Sequence, residues 1–514
     1  MKRGGTGRGK RRKGGKRYQA NDTPFRLDQC IEFALLRQAL VNANYTQEAL
    51  AETVKLQDHR KRLDLCMALR RTATPTPYHT LVRLFMLGQA VPPGAAQTAL
   101  TPMPVEQLLS LGLLRQTETG ICSEAMLLPF ENLFIAHDFG PDILRRSLPA
   151  NYVMGVGAAS ITLADLTVRR RIDSALDLGT GSGIQALLAS RHAARVVATD
   201  TNRRALNFAE LNARLNGISR IEFREGSLYE PVQGEEFDLI VSNPPFVISP
   251  ESRYLFRDSG LPGDTISEQT VRGAAQHLRE GGYCTVLCNW YHQGREDWAE
   301  RPRQWVANSG CDAWIIRFGT EEPLLYAADW LRPTEARNPE RYGRLLDTWL
   351  RYYAEMGIGA ISSGAIVLRR RSGQVNWVRT DTVVAEQRAG SCSEQIERIF
   401  TIQDFLQELG EENDLLDQAL QLVPQHQLIH ELQAQGGGWS VTAAQIKQTQ
   451  GFAFTGSVDR LVSTILAGCD GDHTLRELVA DLAQGLHLDF TAMVPPCLQV
   501  VQALMRMGFL KPVA

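Results

Sequence analysis

Seven short apolar runs punctuate residues 146–372: "SALDL", "RVVATD", "IEFRE", "FDLIVS", "YCTVLCN", "AWIIRFG" and "GAIVLRR". Strands buried on both faces read as near-continuous apolar runs, and strands that alternate with helices build a parallel sheet covered on both sides. Helix-forming text fills the gaps, as in "RRALNFAELNARLNG", which ends on Gly217 as helix C-termini often do. The expectation is an α/β fold: a doubly wound seven-stranded sheet whose ligands bind outside the carboxyl ends of its strands.

The flanks have a different texture. A chain of 514 residues, 44% hydrophobic and 22% charged, has room for about three domains. Residues 21–145 carry apolar residues at helical spacing in "LDQCIEFALLRQALVNANYTQEAL" and "TPYHTLVRLFMLG", then strand-like text around a Thr-Glu-Thr-Gly turn. Helices followed by a hairpin suit a winged-helix-like unit. Residues 373–514 are Gln-rich and read as mainly helical, broken by "GGGW" at 436–439 and closed by the strand-like "GFLKP", again compatible with a winged-helix-like module.

Residues 1–17 hold nine Lys or Arg, six Gly and no acid, which leaves the rest of the chain with 46 basic against 57 acidic residues, a net of −11. Such a segment, here residues 1–20, reads as a disordered basic tail drawn to polyanions such as RNA. No apolar run of membrane-spanning length occurs and no apolar stretch follows the basic start, so the expectation is a cytoplasmic protein without a membrane partner. The nine cysteines are scattered without a C-x-x-C pair, which speaks against a disulfide framework or a zinc site, and no metal ligands are assigned.

Chemistry concentrates at two strand ends. In "ALDLGTGSGIQALLAS", Asp177 closes the first strand and Gly179, Thr180, Gly181 and Gly183 lead into a helix. Glycines there let the backbone turn tightly and approach a ligand, although G-x-G-x-G misses the dinucleotide fingerprint G-x-G-x-x-G. Asp177 suits either a ligand's ammonium group or the loop's own amides. The second strand ends in Asp200, 21 residues after Gly179, where a carboxylate can accept hydrogen bonds from both hydroxyls of a ribose. Ser227 and Leu228, past the third strand, are the candidate adenine contacts.

The fourth strand ends "SNPPF". Prolines fix the backbone and remove N–H donors, so the Pro244 carbonyl is expected to stand free and, with the Asn243 amide oxygen, to accept both hydrogens of a planar –NH2 group. Pro245 stiffens the turn and Phe246 offers a face for a flat amide or base. Two acceptors held in place enrich a delocalised nitrogen as it attacks a methyl group.

Together "DLGTGSG", "VVATD" and "FDLIVSNPPF" resemble the class I S-adenosylmethionine-dependent methyltransferases with an (N/D)PP(Y/F/W) motif, and within them the HemK-like protein-glutamine N5-methyltransferases of the methyltransferase small domain family. The resemblance covers residues 150–370 and implies a Rossmann-like domain that uses S-adenosylmethionine. Residue by residue it makes Asp177, Gly179 and Gly181 cofactor-loop positions, Asp200 the ribose ligand and Asn243 to Phe246 the acceptor clamp. Phe246 stands where the glutamine enzymes usually have Tyr, and Ser227 where many relatives have an acid.

The implied acceptor is a glutamine of a translation protein such as a release factor. The alternative is an exocyclic amine in ribosomal RNA or DNA, guanine N2 or adenine N6, since RsmC-like guanine methyltransferases also carry NPPF. A third reading is a non-catalytic scaffold that only binds the cofactor. The basic tail favours nucleic acid, and the acidic body favours protein.

Overall fold

The computed structural model describes residues 21–54, 64–144, 147–293, 296–336, 338–373, 375–384, 388–435 and 437–513. The basic tail lies outside them.

Six helical segments precede the sheet, from Phe33–Asn42 to Val105–Leu111, followed by two hairpins, β1 (Leu114–Thr117) with β2 (Gly120–Ser123) and β3 (Met126–Phe130) with β4 (Leu133–His137). The Thr-Glu-Thr-Gly text is the first hairpin's turn, with Thr117 opposite Gly120. This part docks on the helix Arg203–Leu215 through side chains that imitate a strand. Asn212 bonds the Ala136 N–H at 2.7 Å and its carbonyl at 2.9 Å, and Asn216 does the same for Phe134 at 2.9 and 2.8 Å. Beside them Arg204 and Asp138 form a buried ion pair at 2.5 Å.

The central sheet contains β5 (Ile172–Leu178), β6 (Ala193–Asp200), β7 (Ile221–Glu225), β8 (Phe237–Ser242), β9 (Leu278–His292), β10 (Cys311–Glu321), β11 (Ala360–Arg370) and β12 (Val378–Thr382), in the order β12-β10-β11-β9-β8-β5-β6-β7. Every neighbouring pair is parallel except those of β11, which runs against both β9 and β10. Leu176, Ile240 and Val286 pack on one face with Val271 and Trp305, while Ala175, Leu239 and Val241 pack on the other with Leu163 and Leu187. The seven expected strands are all present, and the sheet extends past residue 372 by an eighth. "VRTDT" is a polar edge strand, exposed or half-buried throughout, so it carries no apolar run to betray it.

From β5 the chain steps through β6 to β7 on one side and returns through β8 to the other, which puts the change of direction at the β5–β8 pair. Open α/β sheets bind ligands at such a point. Leu178 and Ser242 are register partners there, so the glycine loop and SNPPF leave adjacent strands at the same level.

Between β10 and β11 two helices, Pro323–Glu335 and Pro339–Glu355, pack together with Val247 and Ile248, just past SNPPF. The region after 382 keeps the mainly helical expectation and adds strands to it. Helices Ser393–Glu408, Arg460–Gly468, Leu475–Leu486 and Phe490–Arg506 enclose a separate core, and six strands accompany them. β13 (Ala419–Leu422) lies between β17 (Asp470–Thr474) and β18 (Leu510–Pro512), while β14 (His426–Gln435), β15 (Gly438–Gln448) and β16 (Thr455–Ser457) form a second sheet. The Gln-rich text is the β14–β15 ribbon, turned at Gly437 with φ +83°. Most of its side chains are exposed, so burial imposes no period on the sequence and glutamine suggested helix instead. No helix of the described residues is long and apolar enough to cross a membrane.

Candidate functional site

A cavity of about 490 Å³ opens where the loops after β5, β6, β7 and β8 meet. Its walls include Asp177, Gly179, Thr180, Gly181, Asp200, Ser227, Leu228, Asn243, Pro244 and Pro245, which the sequence scatters over 69 positions and the sheet brings together. Segments 152–160 and 255–270 complete it.

The glycine loop is held from behind. Gly179 and Thr180 both donate their N–H groups to the Thr199 carbonyl at 2.9 Å, which ties the loop to β6. Asp177 is buried, and its Oδ2 accepts from the Thr180 hydroxyl at 2.6 Å and the Ala186 N–H at 2.9 Å. Of its two expected roles, these bonds serve the loop. Burial pushes its carboxyl up to about 7, against the pull of those two donors.

Asp200 is half-buried, with Oδ2 accepting from the Gly181 N–H at 2.9 Å and Oδ1 from the Asn202 N–H at 2.8 Å. Each oxygen keeps acceptor capacity on the cavity side. Burial raises this carboxyl too, offset by the N–H groups of Asn202, Gly181 and Thr201.

The glycines divide by function. Gly179 and Gly181 have φ of +77° and +57°, and a Cβ on either would meet nothing within 4 Å, so their backbone faces open space. Gly183 does not line the cavity, which corrects its assignment as a ligand contact: a Cβ there would stand 2.9 Å from that of Ala209, and the missing side chain lets the loop pack on a helix.

SNPPF also departs from expectation. The Pro244 carbonyl is not free, because the Phe246 N–H donates to it at 2.7 Å across Pro245, a three-residue turn that proline's fixed φ favours. One lone pair remains available. Phe246 turns away from the first cavity and lines a second of about 250 Å³, with Asn289, Phe318, Glu321, Tyr326, Trp330 and Ser363 around it. Its ring meets Trp330 edge-on, centroids 6.1 Å apart. Ala159 lines both spaces, so the motif divides two neighbouring cavities.

Asp258 and Asp264, two acids in the loop after SNPPF, are buried and held by internal bonds. Asp258 accepts from Ser249, Arg257 and the N–H groups of Arg253 and Tyr254, and Asp264 binds Arg301 through both oxygens at 2.7 and 2.9 Å. Asn289, Tyr326 and Trp330 escape sequence reading altogether. Tyr326 and Trp330 sit at ordinary i, i+4 helix spacing, and the available signal is the long helical text between the "AWIIRFG" and "GAIVLRR" strands. Among the described residues no group of three or more His, Cys, Asp or Glu is placed to hold a metal.

Residues 155–298 match the methyltransferase small domain family, and two domains of unknown function match residues 42–124 and 397–512. A release factor glutamine methyltransferase of Xylella fastidiosa is 40% identical over 129 residues, 22% of this chain and 46% of that protein. A ribosomal protein uL3 glutamine methyltransferase of Bradyrhizobium diazoefficiens is 32% identical over 26% of this chain and 47% of its own length. The chain thus spans about half the length of these relatives. A putative protein N5-glutamine methyltransferase of Methanocaldococcus jannaschii is 30% identical over 25% of this chain and 68% of its length. With the strand order, and the glycine loop and SNPPF at the carboxyl ends of adjacent strands, the chain belongs to the HemK-like class I methyltransferases.

Proposed function

We propose that this protein transfers a methyl group from S-adenosylmethionine to the side-chain amide nitrogen of a glutamine in a translation protein, with a release factor as first candidate. The observation that carries it is the position of SNPPF between two cavities, with Asn243 and Pro244 facing the larger and Phe246 the smaller.

The larger cavity fits the cofactor. Asp200 keeps acceptor capacity for ribose hydroxyls, the open backbone at Gly179 and Gly181 admits a close ligand, and Ser227 and Leu228 border the position for adenine. Leu228 is held at φ +47°, a conformation uncommon outside glycine, which turns the backbone at that wall. When bound, S-adenosylmethionine supplies an electrophilic methyl group on sulfur.

The protein's own part is to orient the nitrogen. The Asn243 amide oxygen and the remaining lone pair of Pro244 accept the two hydrogens of the acceptor –NH2. Held this way the nitrogen needs little reorganisation to attack, which is where preorganised dipoles lower a barrier.

Charge favours protein over nucleic acid. Among the described residues no Lys or Arg lines either cavity, whereas Asp177, Asp200, Asp258 and Glu321 do. Binding a base in a nucleic acid calls for cations against the flanking phosphates. The test is methyl-tritiated S-adenosylmethionine with an unmethylated release factor and, separately, ribosomal RNA from the same host. Label that protease removes and peptide mapping places on glutamine supports the proposal; label lost only to ribonuclease overturns it in favour of a base amine.

A further inference from the structure

A further cavity, of about 470 Å³, lies at the seam between the sheet and the region that follows it, and shares no wall residue with the other two. Arg169 and Arg170, on the segment that leads into β5, form one part of its wall. The first turns of the helix Ser393–Glu408 supply Glu394, Glu397 and Arg398, and Gln425 and Gln450 border it from beyond.

Backbone and core contacts fix this seam. The Cys392 N–H donates to the Asp165 carbonyl at 2.7 Å, and the Arg169 N–H to the Ser393 hydroxyl at 2.8 Å. Ile396, Ile399 and Phe400 of the helix join the same core as Ala175 of β5. Gln395 accepts from the Phe452 N–H at 2.7 Å and donates to Gln448 at 2.6 Å, which in turn donates to the Met507 carbonyl at 2.9 Å. Backbone groups at both ends of that series decide how the two amides are turned.

The arginines keep free donors. Arg398 is half-buried, and its one bond among the described residues runs from Nε to the Gly508 carbonyl at 3.1 Å. Arg170 Nη2 reaches the Gly281 carbonyl at 2.5 Å, and Arg169 Nη2 that of Ala164 at 2.8 Å. Among the described residues none of the three is in an ion pair; Glu397 and Glu394 act on Arg170 and Arg398 by charge without bonding them. Burial lowers the pKa of Arg398, only partly offset by Glu394. The helix adds the partial positive charge of its N-terminal end. A cation withdrawn from water without a bonded carboxylate calls for another anion.

We propose that the seam cavity binds a small phosphate ester, with its phosphate on the guanidinium groups of Arg170 and Arg398, Arg169 adding charge, and its neutral polar part on the side-chain amides of Gln425 and Gln450. Guanidinium forks on two segments match a phosphate, which presents oxygens on several sides, better than a carboxylate, which fills a single fork. The side chains of Gln425 and Gln450 make no bond among the described residues, and the volume is that of a small-molecule site rather than of a bare ion. A concave site in a body of net charge −11 favours a small ligand over a nucleic acid.

The test is titration calorimetry of the full chain with ribose 5-phosphate, inorganic phosphate and a short single-stranded RNA. The native protein is expected to bind ribose 5-phosphate several-fold more tightly than inorganic phosphate, with affinity falling as salt rises. No binding of ribose 5-phosphate at millimolar concentration, equal affinity for the two anions, or capture of the RNA alone overturns the proposal.

Arg398→Gln and Arg170→Gln should each weaken ribose 5-phosphate by about tenfold or more, the effect of one charge-assisted hydrogen bond. Glu397→Gln removes a negative charge that acts on Arg170 and should strengthen binding several-fold. Affinity for S-adenosylhomocysteine, measured on the same samples, is expected to stay native in all three. Arg170 is exposed, so its replacement tests the site even where Arg398→Gln fails to fold. Native affinity in Arg170→Gln, or weaker binding in Glu397→Gln, counts against the site.

Discussion

Asp200 accepts a hydrogen bond from the Gly181 N–H at 2.9 Å, so the residue proposed to hold the ribose also holds the glycine loop. Asp200→Ala removes that bond, the one from Asn202 and the capacity for ribose hydroxyls together. Titration calorimetry with S-adenosylhomocysteine is expected to show affinity reduced by about 10–100-fold, the value of one or two hydrogen bonds to a charged group. Asp200→Asn retains one acceptor oxygen and should fall between. Native affinity in the alanine variant would remove the ribose role.

Asn243→Ala separates binding from turnover. Asn243 is half-buried in the wall of the larger cavity, and the substitution leaves the glycine loop and Asp200 intact. Turnover on the release factor is expected to fall about 10²–10³-fold, as when a preorganised polar group is lost from an active site, with cofactor affinity within about twofold of native. Parallel losses in both quantities would mean that Asn243 shapes the cofactor cavity instead.

Two glycines two residues apart should fail in different ways. Gly181→Ala forces φ +57° on an alanine whose Cβ meets nothing within 4 Å, a cost of about 1–2 kcal/mol in stability, and the new methyl intrudes where the ligand approaches. Gly183→Ala adds contacts of 2.9 and 3.1 Å with Ala209 at φ +87°, and strain plus overpacking should cost about 2–4 kcal/mol. Denaturant melts and calorimetry on folded protein distinguish them: Gly181→Ala loses mainly affinity and Gly183→Ala mainly stability. The reverse pattern would contradict the division drawn between the two positions.

The legible parts of the molecule are those where burial constrains the text. "FDLIVS" is buried along nearly its whole length and can be read as a strand from composition, whereas "VRTDT" pairs with β10 by backbone bonds that leave no mark on its side chains. The glycine loop, Asp200 and Asn243 are recognisable because each breaks an apolar strand with residues that a buried run does not carry. The direction of Phe246 is not, since the bond from its N–H to the Pro244 carbonyl sets which cavity its ring enters. Tyr326 is hidden for another reason. It lines the smaller cavity from a helix inserted late in the chain, and a bond from the Ile248 N–H ties that helix to the loop after SNPPF.

Asp177 makes a pH signature. Its carboxyl is pushed up to about 7 in the folded protein from an ordinary 3.8, with burial as the leading cause. Between those values the folded state holds a proton that the unfolded chain has released, so stability falls as pH rises through this window and levels off above about 7. Asp177→Asn keeps an oxygen that can accept from Thr180 and Ala186 but does not titrate. The stability of native protein minus that of Asp177→Asn, from urea melts at fixed salt, should therefore decline from pH 4 to pH 7, by up to about 4 kcal/mol on the linkage relation, and stay flat beyond. Subtracting the variant cancels the other titrating groups common to both proteins. A difference that rises with pH would mean that the ionised carboxylate is favoured by the fold, and that the donors from Thr180 and Ala186 outweigh its burial.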